Sequence, residues 1–128
     1  PADFRICHDF NRAFNRNINQ SNSSVMAWKD SSLDWLYTEF TENIENIIKR
    51  FRGDQDLIHD KMKNNLRWWP PEWAMSWKWE IKNGGKLSPH GAYRSDAAYI
   101  IPDSTKIIVC HGNPNPHEIS EIQCFWHK

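Results

Sequence analysis

The sequence predicts an α/β fold, and three observations carry that expectation. Apolar residues recur at helical spacing between positions 33 and 51. Short runs rich in β-branched and aromatic residues, at 4–7, 23–28 and 106–110, have strand character. Strands and amphipathic helices follow one another along the chain, the pattern of helices layered on sheets. The length of 128 residues suits one core, and 39% hydrophobic with 25% charged residues is a globular composition. Residues 1–128 therefore read as a single domain.

The first strand is Phe4-Arg5-Ile6-Cys7, and the polar, Asn-rich stretch after it, residues 11–24, reads as a loop. Residues 23–28 form the second strand. Leu33, Leu36, Tyr37, Phe40, Ile44, Ile47, Ile48 and Phe51 then make one apolar helical stripe about five turns long. Ser31 with Asp34 reads as its capping box, the cations Lys49, Arg50 and Arg52 suit its C-terminal dipole, and Gly53 is placed for a left-handed stop. A second helix is expected from Asp54 to about Leu66, with Leu57, Ile58, Met62 and Leu66 inward and Pro70-Pro71 ending it. Residues 77–82, Trp-Lys-Trp-Glu-Ile-Lys, alternate as a strand, residues 83–95 read as a loop, and residues 106–110 are a buried strand.

Composition excludes several classes. Sixteen Lys and Arg against sixteen Asp and Glu leave no net charge, which argues against a general nucleic-acid binder. No apolar run approaches the roughly 20 residues that span a bilayer, and no signal-peptide pattern is visible. Three cysteines, Cys7, Cys110 and Cys124, form no CxxC pair, which fits a reducing, cytoplasmic setting. Tryptophan is in excess: eight in the chain, with Trp68, Trp69, Trp73, Trp77 and Trp79 within twelve positions. Indole faces stack on sugars, bases or prolines, and they also fill cores.

Four polar segments fall at the ends of expected elements, where α/β folds place their sites. Asn22 among Ser21, Ser23 and Ser24 can both donate and accept, as a sugar hydroxyl requires, and it also suits an ordinary turn. Asp54-Gln55-Asp56 after Gly53 puts acceptors and a donor at a helix start, where Asp is also a favoured cap. His111-Gly112-Asn113-Pro114-Asn115-Pro116-His117-Glu118 follows a strand, where a histidine beside a glycine can hold a metal or a phosphate. Trp68-Trp69-Pro70-Pro71-Glu72-Trp73 with Ser76 and Lys78 offers aromatic faces and a cation, or Trp-on-Pro packing. The G-x-G-x-x-G, P-loop, G-x-S-x-G and H-E-x-x-H patterns do not occur.

In order, these segments resemble the second half of a GT-A fold glycosyltransferase, close to the family 8-like enzymes of bacteria and phages. Asn22-Ser23-Ser24-Val25-Met26 is similar to the family's N-S-G-V-M strand opening, and Gly53-Asp54-Gln55-Asp56 to its D-Q-D helix start. Trp69-Pro70 through Ser76-Trp77-Lys78 resembles the W-P…S-[YW]-K stretch, and Val109 through Pro116 the F-H-G-K-P-x-P turn. The likeness spans residues 22–117.

The resemblance implies a GT-A architecture and transfer of a sugar, with retention, from a nucleotide-sugar donor to a carbohydrate or other hydroxyl acceptor, assisted by Mn²⁺. It places Asp54 and Gln55 as catalytic, Gln55 on the face of the anomeric carbon. Asn22, Ser23, Asp56, Trp77, Lys78 and Gly112 become substrate-binding, and His111 becomes the metal or diphosphate ligand. No D-x-D precedes Asn22, and Asn115 and His117 stand where the family has Lys and Trp. The expectation is an acceptor-side half of a larger domain, inactive alone, with a missing N-terminal half as a possible partner. The alternative is a noncatalytic Trp-rich carbohydrate-binding or protein-interaction module.

Overall fold

The computed structural model describes residues 3–10, 20–87 and 98–125, which form a mixed α/β structure with two small open sheets. Two compact units are present. The first contains residues 3–9 and 20–71, and the second contains Phe10 with residues 72–87 and 98–125.

In the first unit β1 (Phe4–His8) is the middle strand of three, antiparallel to β2 (Ser21–Ala27) and parallel to β3 (Leu66–Trp68). Alternation explains the sheet: Phe4 and Ile6 point to one face and are fully buried against Ile58 and Met62. Each such side chain contributes about 1.5–3 kcal/mol of burial. Pairing between β1 and β2 is interrupted at one place. Ile6 faces Met26 and Cys7 faces Asn22, so Ser23, Ser24 and Val25 are extra residues on the β2 side.

The long stripe of residues 33–51 is two helices rather than one, α1 (Asp34–Glu42) and α2 (Ile44–Arg50). The break falls at Asn43, whose backbone leaves the helical region while its side-chain amide donates to the Glu39 carbonyl at 3.2 Å. Thr38 and Thr41 likewise turn their hydroxyls onto the carbonyls of Asp34 and Thr38. Side chains that compete for backbone acceptors weaken helix continuity, and three of them cluster here. The expected capping box is not made: α1 starts after Leu33 with no side-chain cap, and the Asp34 N–H takes the Ser31 carbonyl at 3.1 Å. Gly53 is extended, not left-handed, and opens α3 (Asp54–Met62) instead of closing the preceding helix. That helix stops at Met62, four residues before the expected end, because Leu66 joins β3 beside Phe4.

Helix α3 buries Leu57, Ile58 and Met62, whereas α1 buries nothing fully and α2 only Ile47. Ion pairs also hold them to α3, Glu39 to Lys61 and Arg50 to Asp60. The more exposed of the two, Arg50 to Asp60, is worth about 0.2–1 kcal/mol.

In the second unit β4 (Ala74–Ser76) runs parallel to β5 (Ile107–Val109), with Ser76 opposite Val109. Met75, Trp77, Ile81, Ile119 and Ile122 form its core, the last two brought in around a four-residue helix, α4 (Ser120–Gln123). The strand expected at residues 77–82 is absent. Ser76 ends β4 and caps a turn in its place: its hydroxyl accepts the Trp79 N–H, its carbonyl accepts the Glu80 N–H, and its own N–H donates to Glu80 Oε2 at 2.9 Å. A 3₁₀ turn at Ile81–Asn83 follows. No helix among the described residues is long and apolar enough to cross a membrane.

Candidate functional site

The expected site residues divide between the two units. Asn22, Ser23, Asp54, Gln55 and Asp56 belong to the first, and Trp77, Lys78, His111 and Gly112 to the second.

In the first unit Asn22 and Ser23 lie at the interruption of β2. The Asn22 carboxamide oxygen accepts the Ser24 N–H at 2.9 Å, a local turn contact that stabilises the extra loop of strand. One residue earlier, the buried Ser21 donates its N–H to His59 Nδ1 of α3 at 3.3 Å. Asp54, Gln55 and Asp56 form the first turn of α3, with Asp54 exposed and the other two half-buried. Arg52, Gly53 and Asp54 are the polar end of an open cavity of about 560 Å³, otherwise lined by apolar side chains that include Trp28, Tyr37 and Phe40.

The second unit gathers more chemistry in less space. Strands β4 and β5 are parallel and end side by side, so the residues that follow them, Ser76 to Lys78 and Cys110 to Gly112, share one edge of the sheet. His111 Nε2 lies 2.7 Å from Ser76 Oγ. The ring of Phe10 lies nearly parallel to that imidazole, with centroids 5.7 Å apart. Gly112 adopts a left-handed conformation, φ +70°, and a Cβ there would stand 3.4 Å from the Lys78 ammonium nitrogen. A left-handed glycine with a lysine over it leaves backbone and cation together, the arrangement that suits an anion. Burial pushes the adjacent Cys110 thiol above its ordinary range, so it is a poor thiolate at neutral pH.

Trp77, expected on the substrate side, packs inside the second core at 2% exposure. Among the described residues, Trp28, Trp35 and Trp73 are the exposed indoles. Farther along the segment 111–118, Pro116–Glu118 is a 3₁₀ turn capped reciprocally by Asn115 and Glu118. Glu80, Phe10 and His59 were not legible as site residues, since each acts through a contact distant in sequence or hidden in a core. The single cue for Glu80 is its spacing of four from a serine that ends an apolar triplet.

His111 is the only expected metal ligand, and its Nε2 is held against Ser76. The described residues contain no group of three or more His, Cys, Asp or Glu side chains that could hold a metal ion. Comparison with protein-family models, with curated proteins and with solved structures finds no match to this chain.

Proposed function

We propose that this chain carries sugar-transfer elements of a GT-A type glycosyltransferase, in a cytoplasmic setting. Its donor is a nucleotide diphosphate sugar, its acceptor a hydroxyl compound, and the transfer retains configuration. One observation supports this above the others: His111, Gly112 and Lys78 meet at the carboxyl ends of two parallel strands, where α/β folds bind phosphorylated ligands.

In this reading Lys78 and the backbone at Gly112 take the leaving diphosphate, as a cation and a close-approaching main chain. For the first unit, taken by itself, the resemblance implies catalytic roles for Asp54 and Gln55 and sugar contacts for Asn22, Ser23 and Asp56. Mn²⁺, which the resemblance implies, would neutralise charge on the leaving diphosphate. Isothermal titration with UDP- and GDP-sugars, with and without Mn²⁺, tests the proposal. Saturable heat with one donor, lost in Lys78→Ala, supports it; no heat with any donor rejects it.

A second reading draws on a different feature. Trp28 and Tyr37, 50% and 73% exposed, open onto the 560 Å³ cavity of the first unit. Aromatic faces around an open cavity also suit a noncatalytic carbohydrate-binding module. Heat with free oligosaccharides and none with nucleotide sugars would favour it.

A further inference from the structure

The contact between Ser76 and His111 constrains the chemistry of the imidazole. Ser76 is fully buried, so each polar atom of its side chain needs a partner. The hydroxyl oxygen meets two groups. It accepts the Trp79 N–H at 3.2 Å, and it lies 2.7 Å from His111 Nε2. A serine hydroxyl has one hydrogen to give and two lone pairs to fill. Trp79 fills one lone pair and cannot take the hydrogen, because a backbone N–H is only a donor.

If Nε2 carried a proton, it would donate to the remaining lone pair, and the buried hydroxyl hydrogen would face no acceptor. Such an orphan carries the full desolvation penalty of a buried donor, which decides between the tautomers. If Nε2 is bare, the hydroxyl donates to it and all three groups are satisfied. The rest of the setting fixes the geometry. The Glu80 carboxylate holds the Ser76 N–H at 2.9 Å, register sets Ser76 against Val109 two residues before His111, and Phe10 lies parallel to the imidazole.

We infer that Ser76 is a positioning residue, holding His111 as the neutral imidazole with its proton on Nδ1. Its Nε2 lone pair is thereby withheld from a cation.

Long-range ¹H–¹⁵N correlation spectra of the ¹⁵N-histidine-labelled chain test it, recorded at about pH 8, above the ordinary imidazole range. The expected signature for His111 is a pyridine-like Nε2 and a pyrrole-like Nδ1. Ser76→Ala should shift that pattern toward the Nε2-protonated form, and Ser76→Thr, which keeps the hydroxyl, should restore it. A pyrrole-like Nε2 in the unmodified chain overturns the inference without recourse to any variant. Selective broadening of the His111 ring by added Mn²⁺ overturns it too.

Discussion

Two glycines of the second unit share a backbone conformation and differ in surroundings, which makes them a controlled pair. Gly112 has φ +70° and Gly85 has φ +68°, so a side chain at either pays the left-handed cost of about 1–2 kcal/mol. A Cβ on Gly112 meets only the end of a flexible lysine, Lys78 Nζ at 3.4 Å, and the lysine can move aside. A Cβ on Gly85 would stand 2.7 Å from the Ile100 carbonyl oxygen and 3.1 Å from Pro102 Cγ. That backbone is not free to yield: the Ile100 N–H is bonded to the Ile81 carbonyl at 3.0 Å and the Gly85 N–H to the Glu80 carbonyl at 3.1 Å. Overpacking against fixed atoms adds about 1–3 kcal/mol. Gly112→Ala should therefore cost about 1–2 kcal/mol, and Gly85→Ala about 2–5 kcal/mol. Urea unfolding followed by tryptophan fluorescence measures both, with Trp77 buried in the affected core as a reporter. Equal losses would refute the reasoning. A loss at Gly112 as large as that at Gly85 would mean that the turn beside His111 is packed and not open to a ligand.

Other outcomes follow from single groups. Iodoacetamide at neutral pH should modify the exposed Cys124 well before Cys110, whose thiol is pushed up by burial; faster labelling of Cys110 would contradict its environment. The Glu121 carboxyl lies below the usual carboxylate range, first because it accepts its own backbone N–H and next because the Ser120 hydroxyl donates to it at 2.9 Å. A depressed carboxyl contributes stability above its unfolded pKa, and that contribution is lost as pH falls through the folded value. Ser120→Ala should raise the Glu121 midpoint in an NMR titration, and an unchanged midpoint would remove Ser120 as a cause. Trp77→Ala should cost about 3–5 kcal/mol as a core truncation, and a near-neutral effect in urea unfolding would return that indole to the surface.

Much of the fold could be read from local patterns, and the exceptions have physical causes. Phe4 and Ile6 alternate about Arg5, and residues 107–110 are apolar without a break, so both strands were visible. Asn43 was not, because periodicity registers apolar spacing and is blind to Thr and Asn side chains competing for carbonyls. Residues 77–82 alternate like a strand, yet Ser76 and Glu80 close a turn across them, and two polar residues outweigh the period. Leu66 continues the spacing of α3 and still joins β3, because pairing beside Phe4 is a long-range fact. In the site, a histidine and glycine after an apolar strand were legible from sequence. The serine that orients the histidine and the phenylalanine that stacks on it become neighbours only on folding.

The central claim is that the turn after β5 and the lysine after β4 receive a diphosphate. Amide and side-chain resonances of the ¹⁵N-labelled chain during a UDP titration test it most directly, since shift mapping detects even weak binding. The prediction is a saturable perturbation centred on Lys78, His111 and Gly112, reproduced by pyrophosphate and lost in Lys78→Ala. Perturbations absent from those three residues, or confined to the first unit, would contradict it.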